Sequence, residues 1–411
     1  MDTLRQHAET IMADALKSAL PDEAVRQALL DAPFREGGDV VLVAVGKAAF
    51  RMAQAAAQAL GNRVSRGIVI TKYGHAEGAI PGLQVREAGH PVPDANTLSA
   101  TREALDMVRG LKEQDTVLLL VSGGGSALFE DPLIPLEELA DVTGQMLRSG
   151  ADIVEMNTVR KRLSGVKGGR FALACAPASV FAVVLSDIIG DPLDMIASGP
   201  AYPDASTCQQ ALDVVRRRGL RLSDTAMELL KRETPKHLDN VETRVTGSVR
   251  RLCETAADTA LRLGYEPVFL TASLACEARE AGAFLAAVAR DHQDGKSLCW
   301  IAGGETVVHV KGKGKGGRNQ EIALSAAVGI EGLRDTAVFS FGSDGTDGPT
   351  DAAGGYCDGE TARVLREKGM PAPAALADND AYAALSLSGG LLVTGPTGTN
   401  VNDLSILLIR R

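Results

Sequence analysis

The sequence predicts an α/β protein of two domains, and three observations carry that prediction. Short, continuous aliphatic runs of buried-strand type alternate with alanine- and leucine-rich stretches of helical period, the pattern of a mostly parallel sheet covered by helices. The chain has 411 residues, more than one hydrophobic core usually serves. Apolar residues make up 45% of it but aromatic residues only 4%, a composition suited to close helix-on-sheet packing and not to an all-β sandwich.

The opening residues place Leu4, Ile11, Ala15 and Leu16 at helical spacing, and a second helix follows Pro21. "DVVLVAV" (39–45) then reads as a buried strand, and "KAAFRMAQAAAQAL" (47–60) as the helix it feeds, ended by Gly61. Further strands are expected at 67–71, 116–122 and 179–186, with helices over 96–112, 135–149 and 151–163. Residues 205–235 are helical and strongly charged, which puts a hinge near 231–242. The division is therefore a Rossmann-like domain over 1–235, mostly parallel with helices on both faces, and a smaller α/β domain over 236–411. In the second domain the periodicities give helix 249–263, strand 266–270, helix 276–291, strands 298–302 and 306–310, helix 318–328 and strand 336–341. Two short helices and a terminal strand at 404–409 close the chain.

Asp and Glu number 52 against 43 Lys and Arg, a formal charge of -9 that argues against a nucleic-acid partner, since such binding needs a broad basic surface. The six cysteines, at 175, 208, 253, 276, 299 and 357, contain no close pair, so zinc knuckles and redox Cys-x-x-Cys motifs are excluded. Asp2, Arg5, Glu9 and Asp14 interrupt the window where a signal peptide needs an apolar run. The apolar, uncharged run 171–186 is shorter than the roughly 20 residues of a membrane span. A cytoplasmic protein with small-molecule partners and no membrane partner is expected, and a homodimer is compatible with this composition.

In open α/β sheets ligands gather beyond the carboxyl ends of the strands. Gly46 and Lys47 sit at such an end. A lysine in a first helical turn opposes the helix dipole by a few tenths to about 1 kcal/mol, which a bound anion would explain and a solvated lysine would tolerate. Ser122, Gly123, Gly124, Gly125 and Ser126 end another strand. Three glycines let backbone N–H groups converge on a phosphate or carboxylate, or simply make a tight turn. This run lacks the G-x-G-x-x-G order, and G-x-x-x-x-G-K-[ST] does not occur. Asp187 follows the strand over 179–186 and suits a Mg2+ ligand or a base for a hydroxyl. Asp191, Asp194 and Asp204 are read as caps or turns, and Ser198-Gly199-Pro200 as backbone shaping. In "FGSDGTDGPTDAAGG" Asp344 is the candidate carboxylate, while Asp347 and Asp351 read as turn residues. Gly303, Gly304, Glu305 and Thr306 separate two expected strands, and "KGKGKGG" (311–317) reads as a mobile basic loop leading to Arg318, whose planar fork suits a phosphate or carboxylate.

Taken together, "VGKAAF", "GHPVPD", "SGGGSAL", "MNTVRKRLSGVKGGR", "LSDIIGDPLDMIASGP", "GGETVV", "GGRNQE", "FGSDGTDGPTDAAGG" and "GPTGTNVNDL" resemble the bacterial glycerate kinase family whose C-terminal half carries the MOFRL domain. The resemblance spans nearly the whole chain and puts the MOFRL region at about 297–405. It implies phosphorylation of D-glycerate to 2-phosphoglycerate from ATP and Mg2+, in a cleft between the domains. It also implies a catalytic group of Lys47, Asp187, Arg318 and Asp344, with Asp187 and Asp344 sharing metal binding and hydroxyl orientation in an order left open. Residues 122–126 and 303–306, with Asn319, would then bind phosphates of the nucleotide or the small acid. Some members of the family carry the label hydroxypyruvate reductase. An NAD(P)H-dependent reductase is one alternative, against which stands the missing dinucleotide fingerprint; a non-catalytic sugar-acid or nucleotide sensor is the other.

Overall fold

The computed structural model describes residues 3–185, 193–292, 295–395 and 397–411, which form two compact units. The first comprises residues 21–185 and 193–246. Its six strands are β1 (Val40–Val45), β2 (Val64–Lys72), β3 (Leu83–Ala88), β4 (Thr116–Val121), β5 (Ser179–Leu185) and β6 (Val241–Thr246). They lie in the order β3-β2-β1-β4-β5-β6 with every neighbouring pair parallel, the doubly wound arrangement expected of a Rossmann-like sheet. Chain direction across the sheet reverses between β1 and β4. These two strands run in strict one-to-one register from Val40 opposite Thr116 to Val45 opposite Val121, and all their residues are buried. Burial on both faces explains why they read as unbroken aliphatic runs.

Two strands of this sheet escaped the sequence pattern. β6, "VETRVT", is an edge strand with mostly half-exposed or exposed residues, so Glu242 and Arg244 disguise it. Its inclusion carries the first unit to residue 246, past the expected boundary at 235. β3, at the opposite edge, alternates "LQVREA" for the same reason. The helices Leu136–Arg148, Ile153–Arg160, Cys208–Arg218 and Asp224–Leu230 bury a satellite core of their own around Leu139, Val142, Met146, Val159, Val214 and Leu230.

The second unit comprises residues 3–20 and 247–411. Its sheet contains β7 (Glu266–Leu274), β8 (Leu298–Gly304), β9 (Thr336–Gly342), β10 (Gly354–Asp358), β11 (Leu391–Leu392) and β12 (Asp403–Ile409), in the order β11-β10-β9-β12-β8-β7. β7 and β8 pair in parallel, and the other neighbouring pairs are antiparallel. The last strand, β12, inserts between β8 and β9 and is buried along its whole length.

Residues 3–20, expected with the first domain, belong here instead. The apolar stripe of the helix Thr3–Ser18, including Leu4, Ala8, Ile11 and Ala15, needs a cover and packs on the helix Val249–Arg262. Thr259 Oγ1 donates to Asp14 at 3.0 Å, and Arg262 pairs with the same carboxylate at 2.6 Å. The expected strand at 306–310 does not form: only Val307 makes a bridge, to Glu277, and Val307 and Val310 are exposed. Three short helices, Thr361–Glu367, Ala372–Ala377 and Ala381–Ser388, stand where two were expected.

Candidate active site

In the first unit, the end of β1 is locked to the end of β4. Lys47 N donates to Gly123 O at 2.8 Å, and Ala48 N to the buried Ser122 Oγ at 3.1 Å. Gly46 has φ 121°, and a side chain there would run into Ser122. The main chain of Lys47 is thus fixed while its side chain is exposed beside the triglycine turn. This is the switch point of the sheet, where doubly wound folds bind ligands.

Ser126 faces a buried polar group. Its hydroxyl is 3.0 Å from Ser198 Oγ, which donates to Asn157 Oδ1 at 2.8 Å, and Arg160 donates to Ser126 O at 3.0 Å. Ala197 and Ser198 hold φ of 52° and 60°, a left-handed conformation that costs about 1–3 kcal/mol per non-glycine residue. Asn157 and Arg160 were not singled out by sequence reasoning, and Ser198 was read only as part of a backbone-shaping turn. Their signal was present in "MNTVRKR" and "ASGP", but a polar residue inside a helical period carries no mark of what it faces.

The remaining cations of that motif are structural. Lys167 Nζ pairs with Glu130 at 2.7 Å and donates to Phe129 O at 2.9 Å, with both side chains fully buried. Burial pushes the lysine down to about 8, and Glu130 opposes that fall. Lys161 pairs with Asp194 at 3.0 Å and Asp204 at 3.2 Å, and Arg162 with Asp204 at 3.4 Å. Asp194 and Asp204 are therefore ion-pair partners and not the simple turn residues expected. Asp187 lies outside the described residues, as does Asp191.

In the second unit, Arg318 is the first residue of the helix Arg318–Gly329. Its guanidinium grips Asp403, the first residue of β12, through Nε to Oδ2 and through Nη2 to Oδ1 at 3.0 Å, with Glu305 3.5 Å from Nη1. The hydrogen bond to Asp403 holds Arg318 above its ordinary range, so it stays cationic throughout. Asp344 follows β9 and is half-buried, and one of its oxygens accepts from Thr346 N at 2.9 Å. A methyl group on Gly342 would lie 3.3 Å from Asp344 Oδ1 and 3.4 Å from Asp403 Oδ1, so the two carboxylates flank one glycine at the strand's end. Arg318, Asp344, Asp403 and Glu305 thus form one charged cluster. Asp403 was missed although "GPTGTNVNDL" contains it, because nothing in that run marks it as the anchor of an arginine.

Asp347, read as a turn residue, caps the helix that carries Arg318. Its carboxylate accepts from Asn319 N at 3.2 Å and Gln320 N at 2.9 Å. Burial pushes it up to about 6, against the pull of those two N–H groups. Asp351 accepts from Tyr382 OH at 2.7 Å. Asn319, expected to bind phosphate, is fully buried, accepts from Ser340 Oγ at 2.5 Å and donates to Asp347 at 3.3 Å. Both ends of its amide are engaged within the protein. Gly303 and Gly304, expected as a phosphate cradle, are likewise engaged within the sheet. They end β8, paired with Leu404 and Asp403, and Gly304 presses on Leu274 too closely for any side chain.

The lysine-glycine run is pinned, not mobile. Lys311 N and Gly312 N donate to Asn379 Oδ1 at 2.7 and 2.9 Å, Lys313 N to Asp378 Oδ1 at 2.9 Å, and Lys315 N to Asp380 Oδ1 at 3.0 Å. Extended backbone turns alternate residues to opposite sides. Gly312 and Gly314 meet the Asp378–Asp380 main chain where a side chain would collide, and Lys311, Lys313 and Lys315 face solvent. The run borders a cleft of about 670 Å³ whose lining includes Glu305, Thr306, Val310, Arg318, Glu321 and Asp347. Thr306 is buried there with its hydroxyl unpartnered among the described residues.

Residues 7–231 match the family model described as "Domain of unknown function (DUF4147)", and residues 298–403 match the MOFRL family. The chain is 52% identical to the D-glycerate 2-kinase of Thermotoga maritima, over 99% of each chain. It is 38% identical to a putative hydroxypyruvate reductase of Agrobacterium vitis, over 98% of this chain and 94% of that one. The crystal structure of the Thermotoga maritima glycerate kinase superposes with a TM-score of 0.93 at 51% identity, covering 100% of both chains. With both family models matched in order and relatives aligned from end to end, the chain belongs to the glycerate kinase family that carries a C-terminal MOFRL domain.

Proposed function

We infer that this chain transfers the γ-phosphoryl group of ATP to the 2-hydroxyl of D-glycerate. The observation that carries the reading is the full-length 52% identity to a D-glycerate 2-kinase, joined to strand ends built for anions. Phosphoryl transfer asks little covalent work of a protein. It needs the transferred group's charge neutralised and the attacking hydroxyl oriented. Lys47, exposed on a rigid main chain, offers a cation for a phosphate or carboxylate oxygen. Arg318, aimed by Asp403 and kept charged, offers a fixed guanidinium. Asp344, with one oxygen free of its local turn bond, orients the hydroxyl or holds the metal, and Asp187 takes the other role.

Mg2+ fits this donor set. It commonly binds through one or two carboxylates together with substrate phosphates and does not need an all-protein cage. Asp344 would hold it, with the Asp403 carboxylate beside it at Gly342 adding negative charge. When bound, the ion supplies further neutralisation of the phosphate oxygens.

The test is ADP release from Mg-ATP with D-glycerate, with L-glycerate as control and the product's phosphate position read by ³¹P NMR. ADP formation that depends on the D enantiomer and gives the 2-phosphate is expected. A second reading, a reductase, is favoured by the name of the Agrobacterium relative. NADH loss with hydroxypyruvate and no ADP release would establish it and sink the kinase reading. The absence of a dinucleotide fingerprint after β1, where "AVGKAAF" stands in its place, weighs against it.

A further inference from the structure

The end of β2 and the loop after it carry "TKYGH", the loop after β3 carries "GHPVPD", and neither has a part in the roles assigned above. Both bring cations to the Lys47 side of the triglycine turn. The His90 ring presses on Gly124: a methyl group there would meet His90 Nε2 and Cδ2 at 3.1 Å and Lys47 Cγ at 3.2 Å. His75 Nδ1 is 3.1 Å from Lys47 O. His75 is held in place because its N–H and that of Ala76 donate to Glu87 Oε1 at 3.1 and 3.0 Å. On the far side of His90, Asp94 is occupied by Tyr73 OH at 2.6 Å and Thr97 N at 2.9 Å. The half-buried imidazole is held below its ordinary range by burial and then by the charges of Lys47, Lys72 and His75. Four cationic or protonatable groups crowded at a switch point repel one another, and an anion among them relieves that repulsion.

We propose that His90, with Lys72 and His75, completes beside Lys47 a receptor for an anionic oxygen of a substrate, either the carboxylate of the acid or a phosphate of the nucleotide. The proposal rests on the kinase reading for the identity of those two ligands. His90 contacts the ligand through Nε2 and binds it better when protonated. Lysines on an open surface would be plain solvated charges; what separates this cluster from them is a half-buried imidazole wedged against a ligand-type turn.

The experiment titrates ADP, D-glycerate and inorganic phosphate separately into the full chain by calorimetry, for wild type, His90→Gln and Lys72→Gln, at pH 6 and 8. Thermal unfolding of each variant is followed in parallel. His90→Gln should weaken one of the two substrates roughly tenfold, the weight of a hydrogen bond to a charged group. It should also abolish that ligand's tighter binding at pH 6. The substrate affected identifies the source of the anion, and Lys72→Gln should weaken the same one. Wild-type affinities in both variants would overturn the proposal, as would equal weakening of both substrates with a lowered unfolding temperature. If His90→Gln fails to fold, Lys72→Gln alone decides. Normal turnover with unchanged affinities in the variants refutes the subsite only. Binding that depends on His90 in a protein without turnover refutes the kinase reading and leaves the subsite standing.

Discussion

Asp403→Asn tests whether Arg318 is a positioned group or merely a surface cation. The substitution keeps the shape of the side chain but replaces one accepting oxygen by an N–H₂ that faces the guanidinium. Asp403 is about 6% exposed and Arg318 about 35%. Breaking a fully buried ion pair by removing one partner costs about 3–5 kcal/mol. Because a third of the arginine already sees water, screening reduces that to about 2–3 kcal/mol. For a unit of this size, each kcal/mol lowers the unfolding temperature by about 2–4 °C, so the transition of the second unit should fall by about 4–12 °C. The kinetic effect should be larger than the stability effect suggests. A guanidinium swung toward Glu305, 3.5 Å away, is displaced by about an ångström, and such errors cost about 100-fold in rate. The assay is kcat for ADP release at a temperature where the variant is folded, beside a melting curve. A variant that keeps the wild-type kcat would refute the claim that Asp403 aims Arg318, whatever the melting curve shows.

The lysine-glycine run makes an opposite pair of predictions. Gly312→Ala or Gly314→Ala forces a side chain into the Asp378–Asp380 main chain and should lower the melting temperature clearly, by the ~1–3 kcal/mol of an overpacked site. Lys313→Ala, on the solvent side, should stay within about 0.5 kcal/mol of wild type. Asp347 predicts a pH effect. Its folded-state value of about 6 lies above the ordinary 3.8, so the folded state takes up the proton first, and this group adds stability as pH falls from 7 toward 4. Melting curves at pH 7 and pH 5 should show that gain in wild type and a smaller one in Asp347→Asn. The buried Lys167–Glu130 pair should be costly to break and cheap to replace. Lys167→Met alone should lose about 3–5 kcal/mol by leaving Glu130 buried with only Arg160, 3.9 Å away, to oppose its charge, and Lys167→Met with Glu130→Leu should recover much of that in chemical denaturation. A double variant as unstable as the single one would contradict this account.

What the sequence revealed followed from burial, and what it concealed followed from contact. β1, β4, β9 and β12 are buried on both faces, so their unbroken aliphatic runs are legible in the chain alone. β3 and β6 are edges whose charged residues face water, and their alternation was lost among neighbouring loops. The same asymmetry governs the site. Lys47 and Asp344 stand at strand ends beside glycines, where the fold class itself predicts ligands, and their positions in the chain are enough to make them candidates. Asp403 grips the side chain of Arg318 from 85 residues away, and Asp347 caps its helix from the loop after β9; both relations exist only in three dimensions. The lysine-glycine run shows the limit most plainly. Read alone, glycines mean freedom; set against Asn379 and Asp378 they mean closeness, because a backbone held at four points by carboxylate and amide oxygens has no room for side chains on that face. A period-two pattern of lysine and glycine is therefore the signature of an extended segment with one face against main chain and the other in water. Its glycines Gly314, Gly316 and Gly317 line the cleft beside Arg318, while its lysines are turned to the solvent side.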